Sequence, residues 1–167
     1  LGRPGIAIVD GSWYLPAARR DPRAEYLAEH IPGAVFFDID TIADTSIDLP
    51  HMLPGPHQFG DAAGKLGIGK DDTIVVYDGL GLFSAPRVWW TFRIFGVRDV
   101  YVLDGGFPKW KAEGRPIEFG EIKRTPRHFT ARFDPSVVAD MPAIKQTLPD
   151  NSAQVLDARP AERLART

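Results

Sequence analysis

The stretch VVYDGLGLFSAPRVWW, residues 75–90, decides how this chain can fold. It begins as a buried apolar strand, continues as a glycine-bearing loop and ends as a helix, for which Ser84 is the predicted N-cap and Gly96 the residue after the end. A loop between a strand and a helix N-terminus usually directs backbone N–H groups at an anion or a reactive side chain. Asp78 stands where the strand ends, and the chain contains no cysteine. The sequence therefore predicts a cradle for negative charge that already holds a carboxylate.

Three further apolar runs predict the neighbouring strands of the same sheet. They cover residues 6–9, 34–37 and 99–103. Helical patterns separate the runs, and strands that alternate with helices form a parallel sheet whose two faces are both covered. We therefore predict an α/β fold, an open parallel sheet with helices on both faces. Residues 41–56, rich in Pro, Asp, Ser and Thr, are predicted to form a long surface loop of the kind that carries function.

Composition excludes several classes of function. The chain has 167 residues, of which 44% are hydrophobic and 25% charged, as in a globular domain. A net charge of −2 without a basic run argues against nucleic-acid binding, and no apolar stretch approaches the ~20 residues needed to cross a bilayer. The lack of cysteine excludes disulfides and thiolate zinc sites; the compartment stays open, with the cytoplasm favoured. His57 and His128 have no partner at ligand spacing, so no metal site is predicted, and His30 in the turn HIPGA is interpreted as a hydrogen-bonded structural histidine.

The second half of the sequence predicts a linker and the start of a repeat. After Gly114 the chain is basic and polar with scattered aromatic residues, which indicates an extended linker. A helix over 141–148 and a strand over 154–156 follow, and AQVLDARP near the end is similar to AIVDGSW near the start. The expected division is a domain of residues 1–118, a linker of residues 119–133 and the beginning of a second domain at residues 134–167. About twenty residues of helix and lead-in precede the second strand, whereas five precede the first, and the chain opens with Leu1 rather than Met. We therefore expect a fragment whose first repeat lacks its first turns and whose second repeat is cut off as it begins.

Five ordered stretches of the sequence resemble one known family. They are EYLAEHIPGAVFFDID (25–40), LPHMLPGPHQF (49–59), TIVVYDGLGLFSAPRVWWTFRIFGV (73–97), VYVLDGGFPKW (100–110) and VLDARPAERL (155–164). In this order they resemble the rhodanese homology domain of tandem-domain sulfurtransferases, and most of all the N-terminal domain of the 3-mercaptopyruvate and thiosulfate enzymes. In that family a linker joins two rhodanese domains, and only the second carries the catalytic cysteine. The segments DGSWYLP and HMLPG are similar to the mercaptopyruvate branch.

The resemblance accounts for the carboxylate in the cradle. In the family's active domain this loop holds a cysteine that takes up sulfane sulfur as a persulfide, and the converging amides favour the anionic forms. Asp78 matches the position of that cysteine, where a carboxylate accepts the loop's N–H bonds but carries no sulfur. The resemblance therefore implies an inactive copy, with no catalytic residue in this chain. A plainer interpretation, that Asp78 only caps its own loop, stays open beside it.

Four residues match positions that border the active site at the domain interface of the family. These candidate substrate-binding residues are Trp13, Pro16, His51 and Phe83. Phe83 departs from the family's pattern, because that position often holds Tyr. For Trp13 and Phe83 the alternative is ordinary apolar surface left uncovered by an absent partner domain. If the four residues border a site, they should cluster at the edge of the sheet where the strands end.

Arg163 is the fifth candidate substrate-binding residue. It follows Asp157 and matches an arginine that binds the substrate carboxylate in the family. A guanidinium suits this task because its planar fork contacts a carboxylate through two hydrogen bonds. Arg159 is interpreted as a structural ion-pair residue, and Arg166 has no match in the family. For all three arginines the alternative is a solvated chain end.

The function that the resemblance implies is sulfur transfer. The whole protein would move sulfur from 3-mercaptopyruvate or thiosulfate to a thiol or cyanide acceptor, through a cysteine persulfide in the missing C-terminal domain. Its partners would be the small-molecule donor, the thiol acceptor and that domain, without a metal, an organic cofactor, a nucleic acid or a membrane. A different class of function stays open, namely a stand-alone inactive rhodanese-like module that binds or regulates a partner. The preferred donor, the acceptor and the oligomeric state stay open as well.

Overall fold

The computed structural model describes residues 5–150 and 153–157. The chain divides into two units, Leu1–Asp134 and Pro135–Thr167. All four strands that the structure describes belong to the first unit.

A parallel sheet of four strands forms the centre of the first unit. The strands are β1 (Ile6–Asp10), β2 (Ala34–Phe36), β3 (Thr73–Tyr77) and β4 (Val100–Val102). Their order across the sheet is β2-β1-β3-β4, and every neighbouring pair is parallel. Val9 in β1 lies opposite Val35 in β2 and Val76 in β3. Val9 and Val76 are fully buried, whereas Ile8 and Val75, which face the other side of the sheet, are half-buried. The predicted α/β fold is confirmed, and the four strands lie close to their predicted bounds.

Helices supply the apolar cover for the sheet. They are α1 (Pro22–Ala28), α2 (Pro56–Lys65), α3 (Ala85–Ile94) and α4 (Gly106–Ala112) in the first unit, with a short 3-10 helix at Pro16–Ala18. Aromatic residues of α2 and α3 form one part of the core, where the ring centroids of Phe59 and Phe92 are 5.2 Å apart. Phe107 of α4 packs in a separate cluster with Tyr77 and Ile31. The helices α2 and α3 thus share one apolar cluster, and α4 packs in the other.

The start of α3 differs from its predicted form. Ser84 occupies the N-cap position, but its side chain makes no cap hydrogen bond to the helix. The hydroxyl donates to the carbonyl oxygen of Gly11 at 2.7 Å and accepts from the N–H of Trp13 at 3.0 Å. The first N–H groups of α3 bind the carboxylate of Asp78 instead, so the capping residue comes from the end of β3. At the other end Gly96, with φ of +95°, follows the helix as predicted.

Residues 115–134 form no helix or regular strand. The N–H groups of Glu118 and Gly120 bond to His30 and Leu27 at the end of α1, and residues 127–131 pack along α2. Phe129 is buried in this contact. Two glycines allow the close approach: a Cβ on Gly60 would lie 2.7 Å from the carbonyl oxygen of Phe129, and a Cβ on Gly64 would overlap the carbonyl oxygen of Arg127. The segment predicted as a linker is therefore part of the packing of the first unit over this length.

The second unit contains a 3-10 turn at Pro135–Val137 and α5 (Met141–Asp150), which was predicted over 141–148. The strand predicted over 154–156 is wrong, because residues 153–157 have no regular secondary structure and Leu156 is 81% exposed. A strand needs a neighbour to satisfy its N–H and C=O groups, and the described residues of this unit contain no other strand. The candidate substrate residue Arg163 lies outside the described residues, as do Arg159 and Arg166.

Candidate functional site

The loop after β3 encloses the carboxylate of Asp78. Five backbone N–H groups donate to it at 2.7–2.9 Å: those of Leu80 and Gly81 to one oxygen, and those of Phe83, Ser84 and Ala85 to the other. Only 1% of Asp78 is exposed. The loop therefore has the anion-binding geometry that its sequence predicts, and its own side chain occupies the place of the anion.

Glycines allow the loop to wrap around this carboxylate. Gly81 has φ of +104°, in the left-handed region that glycine adopts without strain. Gly106, at the start of α4, passes behind the loop, where a Cβ would lie 2.6 Å from the carbonyl oxygen of Asp78. That carbonyl accepts a hydrogen bond from the N–H of Phe107 at 3.0 Å. The side chain of Asp78 is thus held by its own loop, and its backbone is held by α4.

Two buried serine hydroxyls join this loop to the residues that follow β1. The N–H of Gly79 donates to Ser12 Oγ at 2.9 Å. In the opposite sense, the hydroxyl of Ser84, after β3, bonds to the carbonyl oxygen of Gly11 and the N–H of Trp13, after β1. Because each hydroxyl connects the exit of β1 with the exit of β3, the two serines set the position of Trp13 relative to the loop.

Three of the four predicted interface residues meet beside the loop, and we call Trp13, His51 and Phe83 the ring group. Trp13 stacks on Phe83 with ring centroids 6.5 Å apart and 12° between the planes, and it meets His51 edge to face at 4.8 Å. The three residues follow the C-terminal ends of β1, β2 and β3, at the edge where open α/β sheets bind ligands. Pro16 begins the exposed 3-10 helix nearby, and no described hydrogen bond or ring contact joins it to the group.

Asp40 connects two members of the ring group. Its carboxylate oxygens accept from the indole N–H of Trp13 at 3.1 and 3.2 Å, and Oδ1 lies 3.0 Å from Nδ1 of His51. The second contact has the distance of an ion pair but lacks the alignment of a hydrogen bond, so it attracts only when the imidazole is protonated. A carboxylate at this distance can pair with a protonated imidazole, the form of histidine that donates a proton.

The backbone of His51 is held in an unusual conformation. Its φ is +56°, in the left-handed region that few residues other than glycine adopt. Its carbonyl oxygen accepts a hydrogen bond from Arg87 Nη2 at 2.6 Å. Burial lowers the pKa of Arg87, whose guanidinium also lies over the ring of Trp90 at 5.1 Å. Strain of this kind persists only where surrounding contacts enforce it, and it is frequent at functional sites.

Comparison with known families assigns the fold that carries this site. The model of the family described as "Rhodanese-like domain" matches residues 3–113. This chain belongs to the rhodanese-like family. The match covers all four strands of the rhodanese-like domain, the loop around Asp78 and the ring group.

Curated relatives of the rhodanese-like domain are sulfurtransferases. The chain is 43% identical to the human 3-mercaptopyruvate sulfurtransferase, over 99% of its own length and 56% of the relative's. It is 42% identical to the Escherichia coli 3-mercaptopyruvate sulfurtransferase, over 96% of its own length and 57% of the relative's. It is 41% identical to an Arabidopsis thaliana thiosulfate/3-mercaptopyruvate sulfurtransferase, over 98% and 54% of the two lengths. The chain thus spans about half the length of the curated relatives it matches.

Solved structures agree with this assignment. The crystal structure of SseA from Escherichia coli, described as a 3-mercaptopyruvate sulfotransferase, superposes with a TM-score of 0.93 at 41% identity and covers 98% of this chain and 63% of its own. The 3-mercaptopyruvate sulfurtransferase from Leishmania major gives a TM-score of 0.76 at 29% identity, with 96% of this chain and 44% of its own covered.

Sequence reasoning missed three residues that shape the site of this rhodanese-like domain. Asp40 closes the block EYLAEHIPGAVFFDID shortly after β2, so its place beyond a strand end was a usable signal. Ser12 and Arg87 gave no such signal, because their roles depend on contacts with residues far away in the sequence. By contrast, the structural role predicted for His30 matches the geometry: it is fully buried, and its Nδ1 lies 2.7 Å from the carbonyl oxygen of Tyr26.

The described part of the chain includes no group of three or more His, Cys, Asp or Glu side chains placed to hold a metal ion. None of its helices is both long and apolar enough to span a bilayer.

Proposed function

We propose that this chain is the non-catalytic N-terminal part of a two-domain sulfurtransferase. The whole protein would transfer sulfur from 3-mercaptopyruvate, or from thiosulfate, to a thiol or cyanide. The sulfur would be carried as a persulfide on a cysteine of a second rhodanese-like domain that begins near residue 134. The names of the human and Escherichia coli relatives support the first donor, and the Arabidopsis relative is named for both.

The single observation that carries this proposal is the occupied cradle. A loop with five converging N–H groups is suited to stabilise a thiolate or a persulfide. In this chain all five donate to the buried carboxylate of Asp78, which cannot accept and release sulfur. The chain contains no cysteine that could replace it. Sulfur transfer by the parent therefore needs a nucleophile from outside this domain.

The surface around the ring group supports a role at a domain interface. The segments that carry Trp13, His51 and Phe83 also expose five large aliphatic side chains: Leu15, Ile47, Leu49, Leu80 and Leu82. Apolar side chains exposed together beside polar groups mark surfaces that another protein surface covers. We assign this face to contact with the second rhodanese-like domain, whose cysteine would then lie close to His51.

The proposed reaction gives His51 a specific task. When a thiolate attacks the sulfur of 3-mercaptopyruvate, an S–S bond forms and the C–S bond breaks. The donor's sulfur loses its proton, and the carbon left behind gains one to become the methyl group of pyruvate. His51 lies beside Asp40 with about a third of its side chain exposed, so it can move that proton at the interface. Arg163 would hold the carboxylate of the donor.

Turnover assays on this chain and on its full-length parent test the proposal. The chain alone should form no persulfide and transfer no sulfur from either donor, whereas the parent should turn over. In the parent, His51→Asn should lower kcat more than it changes KM, because a proton transfer is lost and the substrate contacts stay. His57→Asn is the matched control, since this histidine is 92% exposed on α2, and it should change neither constant.

Two results would decide against the proposal. Turnover by the purified chain alone, in proportion to its concentration, would show that the domain is not inactive. A parent protein without any cysteine would favour the stand-alone binding or regulatory module.

A further inference from the structure

A cavity lies beside the segment that follows β1, on the side away from the ring group. Its volume is about 520 Å³, and Ser12 and Tyr14 line it, whereas Trp13 between them belongs to the ring group. The cavity opens between α1 and α4, beyond the ends of β1 and β3. In the strand order β2-β1-β3-β4 the connection from β1 leads to β2 on one side, and the connection from β3 leads to β4 on the other. Open α/β sheets bind ligands at this switch point, in the crevice outside the carboxyl ends of the strands.

A buried carboxylate forms the floor of the cavity. Asp10 ends β1, is 4% exposed, and accepts a hydrogen bond from the N–H of Ser12 at 2.9 Å. Among the described residues no Arg or Lys forms an ion pair with it. Burial raises the pKa of Asp10, although hydrogen bonds from Ser12 and Tyr77 and the charge of His30 act in the opposite direction. The floor is therefore a carboxyl group that lacks a strong cationic partner and whose ionised form is disfavoured by burial, and a cation bound beside it would stabilise that ionised form.

The walls of the cavity are apolar, and its rim is charged. The walls are formed by Pro22, Tyr26, Ala28, Phe107 and Pro108. On the rim Arg20 pairs with Glu25 at 2.6 Å and lies 3.8 Å from the ring centroid of Tyr14. Lys111 pairs with Glu29. Both cations of the rim are thus already neutralised, which leaves the carboxylate floor as the group that a ligand can satisfy.

We propose that this cavity binds a compact organic cation, an amine or amidine carried on a flat apolar body. The cationic group would donate to Asp10, and the apolar body would lie against Pro22, Ala28 and Pro108, the wall residues that are not buried. A volume of about 520 Å³ is in the range of small-molecule sites. An anion does not suit the cavity, because it would meet the carboxylate floor while both neighbouring cations are paired. This site lies apart from the ring group, and the inference does not depend on sulfur transfer.

Benzamidine is a probe with the required chemistry, and benzyl alcohol and benzoate are its neutral and anionic counterparts. Each is titrated into the isotope-labelled chain while the backbone amide signals are followed by NMR. Benzamidine should shift the signals of Ser12 and Gly79 with a dissociation constant on the order of 1–10 mM. Benzoate should bind at least about tenfold more weakly. Asp10→Asn should weaken the binding of benzamidine about tenfold and leave that of benzyl alcohol unchanged.

A second substitution tests the cavity without changing the buried network around Asp10. Ala28 is exposed on α1 and lines the cavity, so Ala28→Phe should fill the space and abolish the benzamidine shifts. Ala24→Phe is the matched control, because Ala24 is exposed on the same helix but does not line the cavity. The proposal is overturned if benzamidine leaves Ser12 and Gly79 unshifted, if its binding survives Ala28→Phe, or if benzoate binds equally well.

Discussion

Replacing Asp78 with Ala should destabilise the domain by leaving backbone N–H groups without an acceptor. Of the five hydrogen bonds to this carboxylate, those from Leu80, Gly81 and Phe83 are part-buried, and water can replace them. Those from Ser84 and Ala85 are buried. At about 1–3 kcal/mol for each buried donor left unsatisfied, the expected cost is about 2–6 kcal/mol. For a chain of this size that corresponds to a fall in Tm of about 5–20 °C.

Urea unfolding followed by circular dichroism measures this cost, and Asp38→Ala is the matched control. The carboxylate of Asp38 also accepts two backbone N–H groups, from Asp40 at 3.0 Å and Thr41 at 3.3 Å, but both bonds are exposed. Its loss should therefore cost no more than about 1 kcal/mol. If Asp78→Ala destabilises the chain no more than Asp38→Ala does, the carboxylate is not what holds the loop.

Three other substitutions probe the buried charge, the packing and the predicted substrate contact. Burial raises the pKa of Asp10 from 3.8, so the native state holds this proton more tightly than the unfolded state does, and the contribution of Asp10 to the free energy of unfolding falls as the pH rises from about 4. The stability of Asp10→Asn relative to the wild type should therefore increase between pH 4 and neutral pH. Unfolding curves of both proteins measured in parallel across that range would show it. Gly64→Ala should lower the free energy of unfolding by about 1–3 kcal/mol, because the added Cβ would overlap the carbonyl oxygen of Arg127. Gly55→Ala is the control, since it has open space around it and should change the stability little when both variants are compared by thermal unfolding. In the proposed full-length parent, Arg163→Ala should raise KM for 3-mercaptopyruvate about ten- to a hundredfold, and Arg163→Lys should raise it less. Unchanged steady-state kinetics in Arg163→Ala would show that the arginine has been wrongly assigned.

The fold could be predicted largely because its signals are local. Each strand of the sheet is a short apolar run, and the glycine turns that bound α3 and α4 stand beside them in the sequence. The cradle around Asp78 could be predicted for the same reason, since all five donors come from the seven residues that follow it. Where a prediction needed a distant partner, as for the strand over 154–156, the apolar run alone was a poor guide.

The site was predicted less completely because several of its contacts join distant parts of the sequence. Ser84 was predicted to cap the helix that it precedes, but its hydroxyl bonds to the exit of β1. Asp40 holds the indole of Trp13, and Arg87 holds the backbone of His51, across connections that no sequence period reports. Hydrophobic periodicity reports which side of an element is buried, whereas pairing between polar side chains follows from how the elements pack.

The position of the persulfide in the proposed two-domain parent tests most directly the proposal that this domain lends a surface, and not a nucleophile, to sulfur transfer. The parent is incubated with 3-mercaptopyruvate, its free thiols are blocked, and its peptides are analysed by mass spectrometry. One added sulfur atom should be found on a cysteine beyond residue 167, and none on residues 1–167. An added sulfur within residues 1–167, or turnover that survives replacement of every cysteine in the parent, would contradict the claim.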